Sequence, residues 1–247
     1  MDKKVVLVTG SSSGIGESIL EKFASSGYNC VLNYNSNLKK ANEIKERLEN
    51  KYNTSCLTIK ADVSNDKDVK DMFDKVISEF NRIDVLVNNA GIAIDTTFDM
   101  KTKENFMKTY EINTYGTFNT SRVFGDYMYK EKHGCIVNIS STNGIDSYYE
   151  FSLDYDASKA AVISLSHNLA NHYSPYVRVN TVCPGWVNTP MNKELSNEFR
   201  DNELNKILLN RFAEPNEIAS LVYFLSTDDA SYINDSVIKI DGGVKKC

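Results

Sequence analysis

Short, nearly unbroken apolar runs alternate with amphipathic helical patterns along the whole chain, and this alternation restricts the architecture more than any other feature. Strand patterns fall at 4–9, 29–34, 55–60, 85–88, 135–140, 177–183 and 237–240. Helical patterns fall between them at 14–26, 38–51, 66–80 (with Ser64 as the expected N-cap), 103–114, 115–129, 155–173 and 216–225. Strands that are apolar throughout are buried on both faces, and strands joined through helices run parallel. The pattern dictates an α/β fold. We expect a single domain over residues 1–247, a doubly wound parallel sheet of about seven strands with helices on both faces. Ligands of such sheets sit beyond the carboxyl ends of the strands.

The first of those ends carries Thr9-Gly10-Ser11-Ser12-Ser13-Gly14-Ile15-Gly16. Glycines at positions 10, 14 and 16 let the backbone turn tightly, approach a pyrophosphate and pack the following helix against the sheet. The helix start then offers free N–H groups and a positive dipole end to phosphate oxygens. A Gly/Ser turn could also be a plain connection. Its place directly between the first strand and the first helix favours a dinucleotide site, hence a Rossmann-like domain, with Ser12, Ser13 and Ile15 also in reach.

The second strand ends in Asn33-Tyr34-Asn35-Ser36-Asn37. An acid there would bond the adenosine ribose and repel a 2′-phosphate. Asn33 is neutral, and Asn35, Ser36 and Lys39 could face a phosphate, so the stretch points to NADP(H) over NAD(H). No arginine stands nearby to clamp the phosphate bidentately, which keeps NAD(H) as an alternative. A surface loop without selective role is the competing reading.

The formal charge of −5, with no basic run, argues against a dedicated nucleic-acid binder. No stretch approaches the ~20 apolar residues of a membrane helix, and the first residues lead straight into a strand; the expected location is cytoplasmic. Five scattered cysteines (Cys30, Cys56, Cys135, Cys183, Cys247) form no C-x-x-C pair. They share no ligand spacing with His133, His167 and His172, so buried thiols and no metal are expected.

Tyr155 and Lys159 stand one turn apart on the 155–173 helix. A cation beside a phenol favours the phenolate and lowers its pKa from ~10. Alone, the spacing occurs by chance on many solvated helix faces. It gains meaning from an ordered set: Thr9-Gly10-x-x-x-Gly14-x-Gly16, Asp62-Val63, Asn88-Asn89-Ala90-Gly91, Asn113, Ser140-Ser141, Tyr155-x-x-x-Lys159, Pro184-Gly185 and Thr189. In this the chain resembles the short-chain dehydrogenase/reductases over almost its whole length. The resemblance implies a catalytic set of Asn113, Ser141, Tyr155 and Lys159, with Ser140 as the alternative to Ser141. Tyr155 would donate a proton to the alkoxide formed when hydride reaches a carbonyl, or act as base in the reverse direction. Ser141 would hydrogen-bond the carbonyl oxygen. Lys159 would lower the tyrosine's pKa and bond the nicotinamide ribose, and Asn113 would hold a water relaying protons to Lys159. For the cofactor it implies adenine contacts from Asp62 and Val63, close backbone approach at Ala90 and Gly91 with Asn88 tying neighbouring strands, and nicotinamide contacts from Pro184, Gly185, Val187 and Thr189.

On the substrate side, the segment between Ser141 and Tyr155 is about one residue longer than the family pattern. It carries Tyr148, Tyr149 and Phe151, which could line a pocket or pack the loop. Residues of about 191–210 are expected to form a mobile lid. Among relatives, 3-oxoacyl-[acyl-carrier-protein] reductases match best in length and terminal motifs (Arg211-Phe212-x-Glu214-Pro215, Asp241-Gly242-Gly243), implying a small carbonyl or alcohol substrate that includes carrier-protein-bound forms. Ser13 replaces their frequent arginine. Of the two basic docking segments, Lys132 could serve one, while Ser174-Pro175-Tyr176 lacks charge at the other. A hydroxysteroid, sugar or other secondary-alcohol dehydrogenase is the alternative, and a non-catalytic nucleotide sensor a remote one. The likeness also implies a homotetramer, formed through the 115–129 and 155–173 helices and the C-terminal strand.

Overall fold

A computed structural model describes residues 3–146, 149–192 and 195–245. Seven strands form one parallel sheet in the order β3-β2-β1-β4-β5-β6-β7. They are β1 (Val5–Val8), β2 (Asn29–Tyr34), β3 (Cys56–Lys60), β4 (Val85–Asn88), β5 (Gly134–Ile139), β6 (Val177–Pro184) and β7 (Val237–Ile240). The central strands β1, β4 and β5 bury essentially every side chain, because helices cover both faces. One apolar cluster packs α1 (Gly14–Ser25), α2 (Leu38–Tyr52) and α8 (Pro215–Leu225) through Ile19, Phe23, Ile44 and Val222. The other packs α3 (Asp66–Phe80), α5 (Gly116–Lys130) and α6 (Leu153–Tyr173) through Met72, Phe124, Met128 and Leu169. Strand order reverses between β1 and β4, and a crevice opens there at the carboxyl ends.

Cys30, Cys56, Cys135 and Cys183 are buried free thiols on β2, β3, β5 and β6, and Cys30 and Cys56 are register partners. Ser147, Tyr148, Lys193, Glu194 and Cys247 lie outside the described residues.

Three local features differ from expectation. The N-cap of α3 is Asn65, whose side chain accepts from the Asp68 amide; Ser64 instead gives its hydroxyl to Asp62. The two helices expected at 103–129 are one rod: α4 (Lys103–Tyr110) passes through a π-turn at Glu111–Tyr115 into α5. The presumed lid contains a further helix, α7 (Asn197–Lys206), N-capped by Ser196.

Candidate active site

The glycine-rich turn is shaped by contacts that exclude larger side chains. Gly10 and Gly14 have φ of +60° and +58°. A Cβ at Gly10 would lie 2.8 Å from the Ala90 Cα, and one at Gly16 only 2.6 Å from the Asn89 side-chain Nδ2. The Thr9 hydroxyl accepts from the amides of Asn89 and Ala90, and the Asn89 side chain donates to the Thr9 and Gly10 carbonyls. The turns after β1 and β4 are thereby locked together. At the start of α1 the N-cap residue Ser13 makes no side-chain cap, so the first-turn N–H groups remain available to a phosphate.

Asn33 is 2% exposed. Its oxygen accepts from the Gly10 amide at 3.0 Å and its amide nitrogen donates to the Ala61 carbonyl at 3.0 Å, stitching the glycine turn to the end of β3. Its neutrality therefore has a structural cause in addition to any coenzyme preference. Asn35 and Ser36 are exposed at the rim of the same cleft. Asp62 Oδ1 accepts from the Ser64 amide and hydroxyl.

A cleft of about 740 Å³ runs from this turn across the ends of β4, β5 and β6. Ser12, Ser13, Ile15, Asp62, Val63, Ala90, Gly91, Ser141, Tyr155, Lys159, Pro184, Gly185, Val187 and Thr189 line it with Gly10, Gly14, Asn33, Asn35 and Ser36. Gly16, Asn88 and Asn113 stand behind its wall. Asn88 is buried, donating to Ser121 and Asn138 and accepting from Thr120, and so ties β4 to β5 and α5. Asn113 sits at the centre of the π-turn; its side chain exchanges hydrogen bonds with both backbone groups of Ile92 and donates to Ser158. Its carbonyl accepts from Thr117. The extra residue of the π-turn puts this amide directly behind Gly91 and close to Lys159.

On the other side of the crevice, Lys159 is 5% exposed and donates to the Ile139 carbonyl at 2.9 Å. Its ammonium stands 5.5 Å from the Tyr155 ring centre. The Ser141 hydroxyl meets Tyr155, whereas Ser140 spends its hydroxyl on the Lys159 carbonyl.

A family model described as enoyl-(acyl carrier protein) reductase matches residues 10–245. The 3-oxoacyl-[acyl-carrier-protein] reductase FabG of Thermotoga maritima is 36% identical over 252 residues, covering 99% of this chain and 98% of that protein. Its Aquifex aeolicus counterpart is 35% identical over 242 residues, covering 98% and 97%. Among solved structures, levodione reductase matches with a TM-score of 0.93 at 31% identity over 98% of both chains. The chain is a short-chain dehydrogenase/reductase.

As a member of that family it is an NAD(P)-dependent oxidoreductase, and the glycine turn, the uncapped helix start and the cleft fit the nicotinamide coenzyme. Burial dominates the electrostatics of the Tyr155–Lys159 pair. Burial pushes the Tyr155 phenol up to about 12, with the Ser141 hydrogen bond opposing and Asp156 and Asp95 adding to the rise. Burial likewise brings Lys159 down to about 8. Lys159 alone thus does not bring the phenol toward neutral pH. Burial thus favours the neutral phenol of Tyr155 over the phenolate.

The substrate end of the reductase cleft contains residues that sequence patterns do not single out. Trp186 stacks on Phe212 (5.7 Å) and meets Tyr149 and Phe199 edge-on at 6.3 and 5.6 Å, and its indole N–H donates to Glu203. Tyr149 also contacts Phe151 and Phe199. The aromatic loop therefore both lines the cleft and packs, joining α7 to the cleft floor. A tryptophan following Pro184-Gly185 was the available signal.

Proposed function

We propose that this enzyme reduces the ketone of 3-oxoacyl thioesters with NADPH, taking substrate from an acyl-carrier protein in the cytoplasm. The observation carrying the chemistry is the convergence of the Ser141 and Tyr155 hydroxyls beside Lys159 at the head of the cleft. Relatives named 3-oxoacyl-[acyl-carrier-protein] reductases, at 36% identity over nearly the full chain, support the substrate class. The coenzyme, when bound, supplies the hydride. Ser141 donates to the substrate carbonyl oxygen, and Tyr155 delivers the proton that oxygen needs as it gains negative charge. Lys159 holds positive charge near the phenol, and Asn113 fixes the turn that backs the site. NADP(H) preference rests on Asn35 and Ser36, which bring polar groups and no acid to the rim.

The two segments expected to meet the carrier protein lie together, with the Lys132 ammonium 5.6 Å from the Tyr176 ring centre. Exposed Met107, Tyr115 and Tyr129 on the α4–α5 rod suit the homotetramer, which light scattering measures directly.

The aromatic wall of Tyr149 and Trp186, backed by Phe199, favours a second reading, a dehydrogenase of ring-shaped secondary alcohols. NADPH consumption with acetoacetyl and crotonyl thioesters, steroid ketones and keto-sugars separates the readings. We expect the acetoacetyl thioester to turn over fastest, and faster with NADPH than NADH. Preference for a cyclic ketone replaces the first reading with the second, and reduction of crotonyl thioester alone replaces both. Lys132→Glu should slow a carrier-bound substrate while sparing acetoacetyl coenzyme A.

A further inference from the structure

A charge taken out of water needs its hydrogen-bonding capacity filled, and a buried ion pair often adds less stability than apolar residues of the same volume. Such a pair stands one residue before Tyr155. Asp154 is 0% exposed and Lys101 8%. The Lys101 ammonium has three donors, and donates to Asp154 Oδ1 at 2.8 Å, to the Ile94 carbonyl and to the Phe151 carbonyl at 3.4 Å. Asp154 Oδ2 accepts from the Thr109 hydroxyl at 2.7 Å. The same two loops are joined again where the Thr96 amide donates to the Phe151 carbonyl.

The geometry forms a ladder. Thr109 and Asn113 are four apart on the α4–π rod, and Asp154 and Ser158 are four apart on α6. Thr109 bonds Asp154 and Asn113 bonds Ser158, so Tyr155 is bracketed by two buried polar rungs between the same two elements. Asn113 belongs to the family's catalytic set; the upper rung has no assigned role.

We infer that Lys101, Asp154 and Thr109 form a positioning device for Tyr155, fixing the first turn of α6 against the two loops that wall the substrate end of the cleft. Ala93 and Asp95 on one loop and Tyr149 and Ser152 on the other line that end, so the clamp sets both the donor's place and the wall facing it. The other charged or titratable groups facing Tyr155 are Lys159 and Asp156 on α6, Asp95 on the loop after β4, and Cys183 on β6. The inference rests on Tyr155 as proton donor, not on a particular ketone.

The test compares Lys101→Met, Thr109→Val and the doubly apolar K101M/D154L with wild type. It measures NADPH affinity, kcat and KM for acetoacetyl thioester, melting temperature, and the pH titration of Tyr155 by tyrosine-ring carbon NMR, assigned with Y155F. Lys101→Met should lower kcat by about tenfold or more, as a displaced donor does, and shift the Tyr155 titration from its wild-type position as the first turn of α6 moves. NADPH affinity should hold, since the glycine turn is untouched. Thr109→Val should lower kcat less, and in the same direction. K101M/D154L removes the buried charges and should recover thermal stability while kcat stays low. Wild-type kcat and titration in the variants, with only melting temperature reduced, would overturn the inference, as would full kcat in K101M/D154L. If Lys101→Met does not fold, the other two variants decide. A wild type inactive on the thioester would refute the substrate reading, and the Tyr155 titration would still decide this one.

Discussion

An aspartate at position 33 would aim an acceptor at the Ala61 carbonyl, to which the Asn33 amide now donates. The Gly10 N–H fixes which end of the amide faces which way, because only the oxygen can receive it. Asn33→Asp should therefore destabilise the fold by about 1–3 kcal/mol, the cost of an unsatisfied buried group, in denaturant titrations. It should not by itself create NADH preference in steady-state comparisons, since the exposed Asn35 and Ser36 present the rim. At Tyr155 burial raises the phenol, and its hydroxyl meets Ser141. Tyr155→Phe keeps the ring and removes the proton, so turnover should fall about 10²–10⁴-fold while NADPH binding, followed by fluorescence, persists. Retained turnover would remove Tyr155 from the mechanism.

Among the secondary-structure elements, the knot at the amino end of the sheet illustrates charge in a structural role. The Asp84 carboxylate, just before β4, accepts from the Val5 amide on β1, from Arg82 and from His133 ahead of β5. Burial would raise its pKa, but the hydrogen bonds from His133, Arg82 and Val5 outweigh it and hold it at about 2. The folded value lies below the unfolded ~3.9, so the contribution is complete above the unfolded value and is lost as pH falls through the folded one. Asp84→Asn should cost about 2 kcal/mol near neutral pH, and the difference from wild type should vanish as urea denaturations approach pH 2. The elements were legible where burial leaves a mark on composition. β1, β4 and β5 read as strands because each is a short, mostly apolar run, and α1 because the glycine-rich turn at 10–16 leads into its apolar spacing. α7 was not legible: its NEFRDNELNK carries no continuous apolar stripe and buries no residue, its place being set by Trp186 and Phe212. The π-turn was hidden because inserting a residue within a helix leaves its composition unchanged. Motif order brought Ser141, Tyr155 and Lys159 into view, yet the Lys101–Asp154 pair spans 53 positions and follows no local spacing.

At the scale of the molecule, the sheet divides labour. The β3-β2-β1 side presents the glycine turn and rim, while Ser141 follows β5 and Asn113 and Lys159 come from the π-turn and α6, so the cleft spans the strand-order reversal. Stability of the whole sheet is thus a condition for either half to act. The buried thiols on four of the seven strands make that condition observable. Burial pushes Cys56 up to about 12 and Cys183 to about 11, and raises Cys30 and Cys135, so none is a ready nucleophile while the strands stay paired. In a Cys247→Ser variant, alkylation should proceed only as fast as the sheet opens, and saturating NADPH should slow it by favouring the closed state. Rapid labelling that NADPH leaves unchanged would refute this. Four atoms of sulfur buried in the strands thus amount to an intrinsic chemical clock, one that times the opening of the sheet without any added label.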